Sequence, residues 1–262
     1  MSFILNLNNN KKKVFAGLIM FAGLNTFSQT IVNTENMSTK TDSVFSLISS
    51  IEGNWSSGNI ELIQINSANQ IAFKKNKTLL KLFLNYEYIS QSKETISSDY
   101  TSQLRYSYVL KNNSFFSFIQ GQKAVSLSLN SRYLVGVGYK HRIINKKENH
   151  LDMALGPFYE NERYLKNEFN ETHITNYRYS FSTFYSFKIS EKLTHNAAIY
   201  YQINTDNFKD YRFYIEPRIV YKLDTFKIYT TLKYRHHSTP YVPVKSTDTQ
   251  WLFGVNYEFG LN

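Results

Sequence analysis

The chain has 262 residues with 21 Tyr and 20 Phe, only 4 Pro and 10 Gly, and no cysteine. Its formal charge is +10 and its mean hydropathy −0.40. This hydropathy excludes a bundle of membrane-spanning helices, and the absence of cysteine excludes a disulfide-stapled scaffold. A transmembrane β-barrel stays open, because the inward half of its wall is polar. The lysines are scattered among candidate strands and turns with no basic block, so no nucleic-acid partner is expected.

The N-terminus reads as a secretory signal peptide over 1–28. Lys11, Lys12 and Lys13 form a positive region, 14–24 is a short apolar run, and Thr26-Phe27-Ser28 is a small-residue cleavage site before Gln29. The apolar run is too short to span a bilayer. Removing 1–28 takes away three lysines and no acids, which leaves a formal +7. Residues 29–42 are polar and aperiodic, and read as a flexible periplasmic lead-in.

From residue 43 onward the recurring period is two. Twelve strands are expected, at 43–55, 60–73, 78–89, 100–110, 115–120, 131–144, 150–160, 176–189, 193–203, 211–222, 226–236 and 250–260. The first two are polar and weak. In the third, Leu80, Leu82, Leu84, Tyr86 and Tyr88 share a face opposite Lys81, Asn85 and Glu87. The fifth has ambiguous parity, so ten strands is the alternative count. In the tenth, Phe213, Ile215, Pro217, Ile219 and Tyr221 oppose Arg212, Glu216, Arg218 and Lys222. In the eleventh, Phe226, Ile228, Leu232 and Tyr234 oppose Lys227, Lys233 and Arg235. The odd-numbered intervening segments, 56–59, 90–99, 121–130, 161–175, 204–210 and 237–249, run from four to fifteen residues, and the even-numbered ones, 74–77, 111–114, 145–149, 190–192 and 223–225, from three to five. That is the pattern of extracellular loops and periplasmic turns. An even count with short even-numbered turns places both termini in the periplasm.

The last strand, 250–260, puts Phe253, Val255, Tyr257 and Phe259 on one face and Leu252, Gly254, Asn256 and Glu258 on the other. Apolar-out, polar-in alternation with terminal aromatics suits the closing strand of an antiparallel up-and-down transmembrane β-barrel. Gly254, Tyr257 and Phe259 also resemble the C-terminal signal by which bacterial outer-membrane barrels are recognised by the barrel-assembly machinery. The expected molecule is one barrel domain over 43–262, embedded in outer-membrane lipid as a monomer.

Four stretches resemble the salt-induced outer-membrane protein family. They are Gly53-Asn54-Trp55-Ser56-Ser57-Gly58-Asn59, Arg132-Tyr133-Leu134-Val135-Gly136-Val137-Gly138-Tyr139, Ala154-Leu155-Gly156-Pro157-Phe158-Tyr159-Glu160 and the closing Gly254-Val255-Asn256-Tyr257-Glu258-Phe259. The resemblance implies an outer-membrane barrel made under stress in some members, with no known substrate and no functional residues to carry over. Gly136 and Gly138 also have a physical reading. Inward glycines let neighbouring side chains cross a narrow lumen or let the strand bend, or else they leave space for a solute.

The chemistry-bearing residues cluster on the inward faces. Lys81, Glu87, Arg105, Arg178, Arg212, Glu216, Arg218 and Arg235 are the candidate lumen charges, joined by Lys140, Arg142, Asp152, Glu160, Glu162, Lys188, Lys222, Lys227 and Lys233. Charges in a tight interior must pair, because a lone buried charge is costly, so one expectation is a salt-bridged plug. The other is a narrow, mildly anion-selective pore for an unidentified small solute, since charged rings set selectivity. A hydrolase alternative rests on His236 and Ser238, two apart near the end of the eleventh strand. The pair resembles the His-x-Ser of outer-membrane phospholipase, but no outward Asn stands nearby to orient the base, so no enzyme is expected. Glu162, Glu168 and Glu171, placed in the longest loop, are candidates to touch a cation. No His, Asp or Glu spacing calls for a metal site, and no cofactor is expected.

Overall fold

The computed structural model describes residues 44–58, 61–146, 149–167, 170–241 and 245–261. The expected signal peptide and most of the lead-in lie outside them. The strands are β1 (Phe45–Ser56), β2 (Leu62–Lys75), β3 (Thr78–Gln91), β4 (Glu94–Leu110), β5 (Asn113–Ala124), β6 (Leu129–Asn145), β7 (His150–Asn167), β8 (Asn170–Lys188), β9 (Leu193–Asn204), β10 (Tyr211–Lys222), β11 (Phe226–His237) and β12 (Thr247–Leu261). Each pairs antiparallel with its sequence neighbours, and β1 pairs with β12 in register from Phe45↔Leu261 to Gly53↔Phe253. The sheet is therefore a closed twelve-stranded barrel with no free edge, the form in which backbone groups are satisfied inside a bilayer.

Alternation sets the two surfaces of the wall. On β3, Leu80, Leu84 and Tyr86 face outward, while Lys81, Phe83 and Glu87 are buried inside. On β12, Phe253, Val255, Tyr257 and Phe259 face outward and Leu252 is fully buried. The outward aromatics gather into two belts. One holds the ring pairs Tyr86–Tyr100, Tyr159–Tyr177, Tyr201–Tyr211 and Phe213–Tyr234. The other, nearer the chain termini, holds Phe45–Phe73, Phe115–Tyr139, Tyr185–His195 and Phe226–Tyr257. On β8 the belts are marked by Tyr177 and Phe187, roughly 33 Å apart along the strand. At the usual tilt this is about 25 Å along the barrel axis, the height of the apolar band of an outer-membrane barrel. The weak polar character of β1 and β2 has a local answer on the outer face, where Ser49 Oγ donates to Asn69 Oδ1 at 2.7 Å.

Two alternatives that the sequence leaves open are decided here. The fifth strand is real, which removes the ten-strand alternative. Its parity is ambiguous in sequence because phenylalanine occupies both faces: Phe115 points outward, whereas the Phe116 and Phe118 rings lie against the inward faces of Gly138 and Gly136. A Cβ added at Gly136 would stand 2.5 Å from Phe118 Cε1 and 2.8 Å from Phe158 Cβ, so these glycines seat aromatic rings rather than leave room for a solute.

The long segments 90–99, 121–130 and 161–175 are mostly strand. The β3–β4 turn is Ser92-Lys93, with φ of 50° and 71° as a two-residue hairpin turn requires, and β7 and β8 pair up to Asn167↔Asn170. These stretches lie beyond the aromatic belt, with water outside and charged groups inside. The polarity alternation fades there while the backbone pairing continues. The longer connections, 57–61, 205–210 and 238–246, do all fall at the end opposite the termini. This end is called the loop end below.

Candidate functional site: an ion-paired end and a basic vestibule

Inside the loop end, three arginines meet three carboxylates. Arg178 on β8 is fully buried; its Nε donates to Glu160 at 3.0 Å and its Nη2 to Asp210 Oδ2 at 2.5 Å. Arg212 on β10 reaches Glu160 at 2.6 Å and Glu162 at 3.3 Å. Arg132 on β6 donates from Nε to Glu162 at 2.5 Å and lies 3.7 Å from Glu160. The parity of β7 places Glu160 and Glu162 on one inward row, which lets two neighbouring carboxylates hold arginines from β6, β8 and β10. Glu162 is therefore a lumen residue and not the loop ligand expected for a cation. Glu171 sits on β8 and accepts from Asn130, and Glu168 lies outside the described residues.

Asp210, in the turn between β9 and β10, ties this lattice to the loops. It accepts from Tyr241 at 2.8 Å, Asn204 at 3.1 Å and the His237 ring at 3.0 Å. Burial opposes its ionisation, but the hydrogen bonds from His237 and Arg178 outweigh that and hold its carboxyl well below the usual carboxylate range. Burial and the nearby Asp210 charge push the Tyr241 phenol up to about 12. Above the lattice sits a hydrophobic cap. Ala124, Leu127, Leu129 and Tyr164 are buried together, with Ile174 and Tyr241 packed against them. Asp99 secures the cap by accepting from the Val125 amide at 2.8 Å and from Ser126 Oγ at 2.8 Å.

A second layer lies deeper. Glu52 is tied to Lys233, to Asn66 at 2.7 Å and to Arg218 at 3.5 Å. Glu216 binds Arg218 at 2.9 Å and accepts from the Tyr214 hydroxyl. Glu87 accepts from Gln64 at 2.7 Å. Arg235 lies 5.5 Å from the Tyr214 ring centroid. Between the lattice and the open half, the lumen narrows to a cavity of about 70 Å³ bounded by Phe116, Phe118, Phe158, Phe184 and Tyr200.

The other half of the lumen is a chamber of about 850 Å³ that opens among the turns at the termini end. Lys81, Arg105 and Arg218 of the expected lumen set line it. The Arg105 guanidinium lies 4.6 Å from the Phe116 ring centroid, and that of Arg218 lies 4.0 Å from Tyr229. The described residues of its wall include ten lysines and arginines against four carboxylates. Asp152 holds Arg142 at 2.7 Å and Lys140 at 3.7 Å, and Glu258 holds Lys227.

The eight lumen charges singled out from sequence thus divide by depth. Arg178 and Arg212 share Glu160 at the loop end; Glu216, Glu87 and Arg235 occupy the middle; Arg218 joins the middle to the chamber, which Lys81 and Arg105 also line. Sequence reasoning missed Glu52, Asp99, Arg132, Asp210 and His237. Parity marks two of them: Arg132 shares the inward row of Gly136 and Gly138, and His237 that of Arg235. Glu52 sits on a weakly alternating strand and Asp210 in a turn, where no period signals direction.

His236 and Ser238 do not form a pair. His236 Nδ1 contacts Thr247 Oγ1 at 2.9 Å. Ser238 Oγ accepts from the Tyr211 amide at 2.8 Å and donates to the Lys209 carbonyl at 2.6 Å, which pins the β11 end to the β9–β10 turn. Among the described residues, no three His, Asp or Glu side chains are grouped to hold a metal ion.

A closed antiparallel barrel with aromatic belts outside and charges within is an outer-membrane β-barrel. Residues 51–259 match the family model described as protein of unknown function, DUF481, and the chain belongs to that family. No curated protein matches it. Among solved structures it is similar to the NanC porin, at 11% identity and TM-score 0.53 over 80% of this chain and 98% of that one. It is also similar to the translocator domain of the autotransporter NalP from Neisseria meningitidis, at 11% and 0.51 over 86% and 92%. An outer-membrane channel from Pseudomonas putida F1 matches at 8% and 0.51 over 87% and 99%. At these identities the likeness is one of fold.

Proposed function

We propose that this protein is a non-enzymatic, monomeric outer-membrane barrel whose lumen is closed toward the cell exterior and open as a cup toward the periplasm. In this reading residues 1–28 are removed on export, both termini are periplasmic, and Gly254, Tyr257 and Phe259 serve the assembly machinery. The resemblance to salt-induced outer-membrane proteins supports a stress-related, wall-stiffening role over steady solute flux. The observation that carries the reading is the loop-end lattice. Arg132, Arg178 and Arg212 on Glu160 and Glu162, beside the buried Leu127, Leu129 and Tyr164, bring charged side chains of β6, β7, β8 and β10 together inside the loop end. Opening it requires separating buried ion pairs, which is costly. Single-channel recording of refolded protein tests this. The expected record shows small or no current steps. Large, stable steps favour the narrow small-solute pore instead.

A further inference from the structure

The chamber wall carries like charges in direct register. Lys81 stands opposite Arg105 across β3–β4, Lys222 stands opposite Lys227 across β10–β11, and all four line the chamber. Like charges directly opposite on one sheet face destabilise it. The two pairs lie on nearly opposite sides of the twelve-stranded wall. The acids present offset part of this charge: Glu258 reaches Lys227, and Asp152 reaches Lys140 and Arg142. Arg218, on the same wall and 7% exposed, gives Nη2 to Glu216 and Glu52 and leaves Nε with no hydrogen-bond partner. A concave chamber with excess charge of one sign and low-dielectric walls concentrates counter-ions of the other. Ten bases against four acids leave a surplus spread around the wall, which a ligand with separated anionic groups meets at more than one place and a monovalent anion meets at one.

We infer that the chamber is a binding site for a small multivalent oxyanion, a molecule carrying two or more phosphate or carboxylate groups, held between Lys81–Arg105 and Lys222–Lys227. The inference goes beyond the occluded-barrel reading and holds whether or not the loop end conducts.

The test is calorimetric titration of the full refolded barrel in neutral detergent with inorganic tripolyphosphate. The expected result is saturable one-to-one binding that weakens with salt and raises the melting temperature. K222Q/K227Q should weaken binding roughly tenfold, the scale of losing close charge contacts at intermediate dielectric. K222Q alone should raise the melting temperature of the ligand-free barrel, because its repulsion with Lys227 is gone while the Lys227–Glu258 ion pair stays. K123Q, on the outer wall, should leave binding unchanged. A second arm uses phosphatidylcholine nanodiscs with and without cardiolipin, whose headgroup carries two phosphates. Competition by cardiolipin assigns the oxyanion to a lipid headgroup, and undiminished tripolyphosphate binding assigns it to a soluble molecule; either supports the site. Absence of binding to the wild type, or equal affinity in K222Q/K227Q, overturns it.

Discussion

At the loop end, Arg132, Arg178 and Arg212 are matched by Glu160, Glu162 and Asp210 and covered by an apolar cap. At the termini end, ten bases face four acids around an open chamber. Depth explains the difference. A charge stripped of water costs several kcal/mol unless partners replace the solvent, so the sealed end tolerates no surplus. The chamber opens at the termini end and its outermost bases, Lys111, Lys146 and Lys222, are exposed, so solvent screens like charges there and a surplus persists at modest cost. The same inward strand parity that builds a balanced ion-pair lattice at one end builds a basic chamber at the other.

Removing one member of the sealed lattice should have the largest effect. Glu160→Gln leaves Arg178 and Arg212 short of a buried counter-charge, with an expected loss of about 3–5 kcal/mol, read as a lower urea midpoint for heat-modifiable gel mobility. Equal loss from Glu258→Gln, whose ion pair with Lys227 is partly exposed in the open chamber, would erase the contrast between the ends. Next comes the wall between them. Gly136→Ala pushes a methyl into the Phe118 ring and the Phe158 Cβ, for about 1–3 kcal/mol of overpacking. The same assay reads it, and a neutral result would mean the lumen has slack at its narrowest level.

Acid should loosen the sealed end first. Asp210 has its pKa lowered in the fold, so the stability it supplies is present above its ordinary value near 3.8 and is lost progressively as pH falls below that value. The melting temperature should therefore fall more steeply below pH 4 in wild type than in Asp210→Asn. The smallest effect belongs to the open end, where Lys222→Gln relieves its repulsion with Lys227 and should stabilise the ligand-free barrel by about 0.2–1 kcal/mol.

Much of the wall was legible in sequence because half its faces touch lipid. Leu80, Leu84, Phe253 and Val255 alternate with Lys81, Glu87 and Asn256, and that period alone gives strand, facing and closure. It fails past the aromatic belts. Around Glu162 and Arg163 both faces are polar, so a continuing hairpin reads as a loop. It also fails where the inside is apolar: Phe116 and Phe118 obscure the direction of β5 because they answer glycines on β6. The lumen charges could be listed from parity, but not their division into a balanced lattice and a basic chamber. That division depends on which strands face across the lumen and at what height, and on Asp210, whose position in a turn carries no period.

The most direct test of the sealed end uses the absence of cysteine from the chain. Single cysteines placed at Ser107 in the chamber wall and at Ser92 in the β3–β4 turn give a clean background for a bulky, membrane-impermeant maleimide. In intact cells Ser92→Cys should label and Ser107→Cys should not. After the outer membrane is permeabilised, Ser107→Cys should label as well. Labelling of Ser107→Cys in intact cells at the rate of Ser92→Cys would show that the lumen is open from outside and would contradict the account.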